Sequence, residues 1–186
     1  MQSCLAPRDA HRRDSQSFPF VRHLESHTER IRGELKELGP HEFLDWPQSQ
    51  ALSGSWRIHC LYSGDPNWLF ADQCLSNSKK CPQTSQVLQS IPGLLQAGFS
   101  LLEPGTHVYP HQDELSEDCL RCLLPLTNES GSIIRIGDTQ LPIVKGKCIV
   151  FHGSVEHESA NLGTLPRVVL TVDIAAAHIR SSMLGT

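Results

Sequence analysis

The second half of the chain consists of short apolar runs separated by turn residues. This pattern predicts strands near residues 94–102, 106–111, 120–126, 132–136, 140–144, 147–151 and 167–174. Gly137-Asp138, which separates two of these runs, predicts a hairpin turn. Strands this short and closely spaced must bury one face and close their edges. The sequence therefore favours a mainly β sandwich or barrel, such as a jelly roll.

The first half of the chain has a polar start followed by an apolar pattern of helical period. Residues 1–16 are polar and without period, which predicts a loose N-terminal arm, and residues 17–186 are then one domain. Within residues 18–38, apolar side chains recur at helical steps up to a Gly39-Pro40 stop, which predicts one amphipathic helix packed outside the β body. Further along, we expect a strand at 56–62, a loop at 66–83 and a short helix at 84–91.

Composition narrows the class of protein. The net charge is −4 with only 16 Lys and Arg residues, which argues against nucleic acid as a partner. No apolar stretch approaches the roughly 20 residues of a membrane span, so we expect no membrane partner. The first residues lack the apolar core of an export signal, which favours a cytoplasmic location. The odd count of seven cysteines then predicts reduced thiols.

The stretch EPGTHVYPHQDE, residues 103–114, suggests a metal site. His111 and Asp113 are two residues apart, so on an extended segment both side chains point to one face. His157 follows the apolar run CIVF and is a candidate third ligand. Two histidines and one carboxylate leave three open positions on an octahedral ion, as in non-haem Fe(II) oxygenases.

Ten residues beyond His157, Arg167 shares one strand face with Val169, Thr171 and Asp173. An arginine that faces inward needs an anionic partner, because a buried unpaired charge is costly. The carboxylate of 2-oxoglutarate is such a partner, and the guanidinium can bind it through both arms.

Two other interpretations of these residues stand beside the metal site. A lone His-x-Asp pair in a β protein is commonly a surface or turn feature, and only the full set of residues favours a metal. Cys119 and Cys122 are alternatively half of a zinc site with Cys74 and Cys81, although the CxxC pair falls on a predicted strand rather than a knuckle turn.

Several stretches together resemble the aspartyl/asparaginyl β-hydroxylase family of Fe(II)- and 2-oxoglutarate-dependent oxygenases. They are FPFVRHLESHTERIRGEL, CPQTSQVLQSIPGL, SLLEPGTHVYPH, GKCIVFHGSVEHES and PRVVLTVD, which cover most of residues 18–174. The resemblance implies a double-stranded β-helix (jelly roll or cupin-like) with iron on His111 and His157. It also implies that Ser100 and Arg167 hold 2-oxoglutarate and that Arg121 lies on the substrate side.

The sequence departs from the family at three positions. Asp113 stands where the mammalian branch has Gly, while related lipid A hydroxylases resemble this chain in having His-x-Asp, so Asp113 is expected to be the third ligand. Leu123 stands where the family usually has a histidine that contacts the cosubstrate. His152 replaces a common Asp and is either a substrate contact or a solvated loop residue.

These observations predict an Fe(II)/2-oxoglutarate-dependent dioxygenase that uses O2 to hydroxylate an unactivated C–H bond. The resemblance implies the β-carbon of an Asp/Asn-like amino acid or residue. Because no substrate-presenting repeats are present, we expect a small molecule, amino acid or peptide as substrate. The alternatives are a non-catalytic β-barrel binding module and a zinc-binding protein.

Overall fold

The computed structural model describes residues 17–113, 119–127 and 130–177. The predicted arm at residues 1–16 and the last residues of the predicted domain lie outside this part of the chain. Within it, the fold has four α-helices, two short 3-10 helices and eleven strands.

The predicted helix at 18–38 is wrong in one respect, because two helices occupy this stretch. They are α1 (Pro19–Ser26) and α2 (Thr28–Glu37). Side chains at the junction compete with the helical hydrogen bonds: Ser26 Oγ donates to the carbonyl of His23, and Thr28 Oγ1 donates to that of Glu25. The apolar positions of both helices still face the same core.

The predicted loop at 66–83 is also wrong, because it contains α3 (Ala71–Lys80) and the start of α4 (Pro82–Gln89). Helix α3 lacks an apolar period: its buried side chains are Cys74 and Asn77, and Asn77 donates to the carbonyl of Cys60. Helix α4 confirms the short helix expected near residue 84. Its first amides donate to the Glu34 carboxylate, which satisfies groups that a helix start leaves unpaired.

The strands form two antiparallel sheets. Sheet A has the order β1-β3-β4-β11-β6-β9 and sheet B the order β2-β5-β10-β7-β8. The strands are β1 (Leu44–Asp45), β2 (Leu52–Ser53), β3 (Trp56–Ser63), β4 (Leu94–Leu102), β5 (His107–His111), β6 (Cys119–Pro125), β7 (Ser132–Ile136), β8 (Thr139–Pro142), β9 (Ile149–His152), β10 (His157–Asn161) and β11 (Arg167–Ala175).

The mainly β prediction is confirmed, and all seven strands predicted in the second half are present within two residues or so of their expected ends. The predicted hairpin is confirmed as well, since Ile136 pairs with Thr139 across Gly137-Asp138. The sequence pattern missed β10, because HESAN carries no apolar alternation, and it missed the two-residue strands β1 and β2.

Two apolar cores lie on opposite faces of sheet A. The larger core joins its outer face, with residues such as Phe99 and Leu170, to helices α1, α2 and α4. The second core fills the space between the sheets, where Leu123 and Val169 meet Ile134 and Ile136 of β7. The helices therefore pack outside the double-stranded β-helix, as predicted, and the interior between the sheets is available for a site.

Gly98 of β4 lies against the backbone of β3, and an added Cβ would stand 2.8 Å from the carbonyl oxygen of His59. We expect Gly98→Ala to lower the free energy of unfolding by about 1–3 kcal/mol in urea denaturation, since two backbones must move apart. Gly33→Ala in α2 is the control, because no described residue outside the adjoining backbone of its own helix lies within 4 Å of its added Cβ. Equal stability of the two variants would contradict the close packing of β3 on β4.

Candidate metal centre

The three predicted ligands meet in the interior between the sheets. His111, Asp113 and His157 each offer one ligand atom, and these atoms all lie within 4.8 Å of one another. Nε2 of His111 is 3.9 Å from Asp113 Oδ1, and Nε2 of His157 is 3.6 Å from Asp113 Oδ2. This spacing fits three side chains around a single cation.

An irregular pairing of β5 with β10 places the two imidazoles side by side. His157 pairs with His111, whereas Ser159 pairs with Val108, so two residues of β5 stand opposite one residue of β10. Such a β-bulge re-aims the side chains that follow it. The His111 and His157 ring centroids are 4.3 Å apart as a result.

Backbone carbonyls orient both rings. His111 Nδ1 lies 2.7 Å from the carbonyl oxygen of Tyr109, and His157 Nδ1 lies 2.8 Å from that of Val155. A carbonyl only accepts hydrogen bonds, so each Nδ1 carries the proton and each Nε2 presents a lone pair. Metal-binding histidines are typically fixed in this way.

His157 is the most buried of the three ligands, with 5% of its surface exposed. Burial lowers the pKa of its imidazole, and this effect outweighs the hydrogen bond to Val155, which acts in the opposite direction. Phe151 packs against its ring edge-on at 4.8 Å. The ring is therefore neutral near pH 7, so a cation does not have to displace a proton from it.

Asp113 follows β5, and its amide donates to the carbonyl of Gly153 at 3.0 Å. Its Oδ2 is buried and, among the described residues, accepts no hydrogen bond of regular geometry, although it forms an ion pair with Arg121 Nη1 at 2.5 Å. An ionised carboxylate offers about four lone-pair sites on its two oxygens, so this contact leaves sites of Asp113 for a metal ion. The donor set of two neutral imidazoles and one carboxylate therefore suits a divalent transition metal.

Arg167 lies at the start of β11 and faces the same interior. It is 3% exposed, and its Nε and Nη1 have no hydrogen-bond partner among the described residues. Burial lowers the pKa of its guanidinium to about 10, so it remains charged at neutral pH. A buried cation without a counter-charge is costly, and this one points to an anionic ligand.

Ser100 of β4 is on the same side of sheet A, opposite Val169 of β11, which is two residues from Arg167. The indole Nε1 of Trp56 donates to Ser100 Oγ at 2.9 Å. Because an acceptor site of the hydroxyl is taken, its proton can be donated to a ligand. The predicted anion-binding pair, Ser100 and Arg167, thus shares one face of neighbouring strands.

Three further predicted residues have defined positions. Arg121 of β6 contacts Asp113 and also pairs with Asp173. Leu123 is buried in the interior core, where it fills space with Phe151 and Val169. His152 ends β9 opposite Leu120, whose side chain belongs to the core beneath the helices. The substrate role of His152 stays a prediction.

The cysteines do not form the alternative zinc site. In the described part of the chain, His111, Asp113 and His157 are the only group of three or more His, Cys, Asp or Glu side chains that could hold one ion. Cys74 packs with Phe70, while Cys81 and Cys122 lie in the core beneath the helices.

Among the described residues, no helix is long and apolar enough to cross a membrane.

Two facing antiparallel sheets that enclose a His-x-Asp segment and a distant histidine define a double-stranded β-helix with a candidate metal centre. A family model described as aspartyl/asparaginyl beta-hydroxylase matches residues 25–177. The chain belongs to this family, as its sequence predicts, and the family supports a hydroxylase function.

Similar proteins agree with this assignment. An ornithine lipid ester-linked acyl 2-hydroxylase from Rhizobium tropici is 30% identical over 86% of this chain and 58% of its own length. An aspartate beta-hydroxylase domain-containing protein 2 from Rattus norvegicus is 30% identical over 67% of this chain and 40% of its own. The chain thus spans about half the length of these relatives.

Among solved structures, a prolyl-4-hydroxylase from Pseudomonas putida superposes with a TM-score of 0.50 at 18% identity. The match covers 83% of this chain and 86% of that one. At this level of identity, the likeness supports the double-stranded β-helix fold and carries no information about the substrate.

We expect His111→Ala and His157→Ala each to weaken Co(II) binding by more than about tenfold, because each removes a ligand from a three-residue set. Calorimetric titration of metal-free protein measures this affinity. His107→Ala is a control on the same strand as His111, since His107 Nε2 bonds Glu158 rather than the site. Wild-type affinity in either ligand variant would contradict the assignment.

Proposed function

We propose that the protein is an Fe(II)- and 2-oxoglutarate-dependent dioxygenase that hydroxylates an unactivated C–H bond. The observation that carries this proposal is the presence, in one interior, of a candidate metal-binding triad and a buried arginine that has no counter-charge among the described residues. A metal site alone suits many functions. Together with an unsatisfied cation, it suits a metal enzyme whose cosubstrate is an anion.

The triad favours iron over a structural zinc ion. Structural zinc sites are closed by four protein ligands, whereas the described residues offer three: His111, Asp113 and His157. A facial set of two histidines and one carboxylate leaves positions for a cosubstrate and O2. Bound iron and 2-oxoglutarate would supply the oxidising power for the C–H bond, and the chain's own residues position the reactants.

Arg167 and Ser100 are the proposed 2-oxoglutarate contacts. Nε and Nη1 of the Arg167 guanidinium have no hydrogen-bond partner in the described part of the chain, so the guanidinium can bind a carboxylate through two parallel hydrogen bonds. Ser100 is oriented by Trp56 so that its hydroxyl can donate to the same anion. Leu123, Phe151 and Val169 line the apolar interior, which limits competition from water.

The proposed substrate is a small molecule, amino acid or peptide, hydroxylated at the β-carbon of an Asp/Asn-like group. The Rhizobium tropici relative is named for 2-hydroxylation of an ester-linked acyl group of ornithine lipid. Its match covers 86% of this chain. An acyl group of an amino-acid-containing lipid is therefore the second candidate, and we propose a cytoplasmic location for either reaction.

Succinate release tests the proposed chemistry, because 2-oxoglutarate that is oxidatively decarboxylated leaves as succinate and CO2. We expect metal-free protein to release succinate only when Fe(II), 2-oxoglutarate and O2 are all supplied, and His157→Ala to release none. Metal analysis of protein purified without added metal completes the test. Bound zinc without succinate would favour the zinc-binding alternative, and neither metal nor succinate would favour a non-catalytic binding module.

Arg167→Met tests the cosubstrate site. Loss of a charge-assisted bidentate pair costs about 2–5 kcal/mol, so we expect 2-oxoglutarate affinity of the Mn(II)-loaded protein to fall at least roughly 30-fold. Thermal unfolding of the metal-free protein gives a second reading. Because Met removes a buried uncompensated charge, the melting temperature should stay the same or rise.

The matched control is Arg57→Met on β3, since Arg57 pairs with Glu103 and lies on the other face of the sheet from Trp56. It should leave 2-oxoglutarate affinity unchanged. Normal affinity together with a lower melting temperature in Arg167→Met would show that Arg167 serves the fold alone.

A further inference from the structure

We propose that Arg121 is a positioning residue for the metal ligand Asp113, held in place by Asp173. The inference rests on the proposed metal site. It goes beyond the substrate-side role that the family resemblance implies for Arg121, and it gives a role to Asp173, a buried aspartate outside the metal-binding triad.

Strand pairing brings Arg121 and Asp173 together. Asp173 of β11 is directly opposite Arg121 of β6 in the antiparallel register, so both side chains project from the same face of sheet A. Nε of Arg121 donates to Asp173 Oδ1 at 2.8 Å, and Nη2 donates to Oδ2 at 2.8 Å. This parallel two-bond arrangement fixes the plane of the guanidinium.

The remaining nitrogen of the guanidinium is directed at the metal centre. Nη1 of Arg121 lies 2.5 Å from Asp113 Oδ2, on the carboxylate that faces His157. All three nitrogens of the guanidinium therefore contact carboxylates. The guanidinium is planar and rigid, so Asp173, which fixes its orientation, also fixes the position of Nη1 beside Asp113. Lysine has a single ammonium on a flexible stem and could not hold both carboxylates in this way.

The charges are consistent with this role. Asp173 is 2% exposed and needs a cation, which the half-buried Arg121 supplies. Arg121 and Asp173 cancel each other's charge, so the negative charge of Asp113 remains for a cation. Removal of Arg121 from the pair would leave a buried aspartate without its partner.

A double-mutant cycle tests the inference through metal affinity, which requires no substrate. Co(II) binding is titrated for metal-free wild type, Arg121→Met, Asp113→Gly and the double variant. We expect each single change to weaken binding at least about tenfold, as loss of a group that orients a ligand typically does. If Arg121 acts through Asp113, the double variant should bind no more weakly than Asp113→Gly alone.

Two further variants separate positioning from charge and from folding. Arg121→Lys keeps the charge and should still lose affinity and alter the visible absorption spectrum of bound Co(II). Asp173→Asn keeps the size of the side chain but removes its charge and one of its two acceptor oxygens. It should weaken Co(II) binding although Arg121 itself is still present. Arg57→Met is the control for loss of a surface ion pair. Melting temperatures show whether the compared variants are folded. If Arg121→Met is unfolded, Arg121→Lys takes its place in the double-mutant cycle.

The outcomes are distinguishable. Wild-type Co(II) affinity in Arg121→Met, full rescue by Arg121→Lys, or additive losses in the cycle would each overturn the positioning role while leaving the metal site intact. Normal affinity in Asp113→Gly would overturn it too and would leave two histidines as ligands. Failure of the wild-type protein to bind Co(II) or Fe(II) would instead overturn both this inference and the proposed function.

Discussion

The candidate metal centre depends on one irregularity in the pairing of β5 with β10. Regular pairing continued from Ser159 and Val108 would place Pro110 opposite His157. The extra residue of β5 moves the register by one and places His111 there instead. Because neighbouring residues of a strand point to opposite faces, this shift determines whether His111 faces the interior. Pro110 has no amide hydrogen to donate, so the bulge does not remove a hydrogen bond that this residue could have given to the neighbouring strand.

Much of the scaffold could be predicted because strand patterns are local. Apolar alternation located β4, β6, β7 and β11, and the Gly137-Asp138 turn fixed one hairpin. The pattern failed where burial did not follow hydrophobicity. Helix α3 buries Cys74 and Asn77, and β10 carries the sequence HESAN, so neither has the apolar period of its element. The helix at 18–38 was split by side-chain hydrogen bonds to the backbone, which periodicity does not report.

The three candidate metal ligands could be proposed from spacing and family resemblance, but their geometry could not. His111 and Asp113 were expected to share a face because they are two residues apart. Their meeting with His157 required strand order and register, which arise from long-range pairing. The tautomers of both imidazoles depend on the carbonyl groups of Tyr109 and Val155. The positions of these carbonyl groups are set by the backbone of β5 and of the turn before β10.

Arg121 is half-buried and Arg167 is buried, and both lie on the same face of sheet A. The sequence does not show which of them has a charged partner. The pattern of β11 puts Asp173 on the face of Arg167, yet Asp173 pairs across the strands with Arg121. Arg121 is thereby neutralised, while Arg167 has no compensating charge within residues 17–113, 119–127 and 130–177. A neutralised arginine can orient a neighbouring carboxylate, whereas an uncompensated one can attract an anion from solution. The charged partner therefore favours a positioning role for Arg121 and a binding role for Arg167.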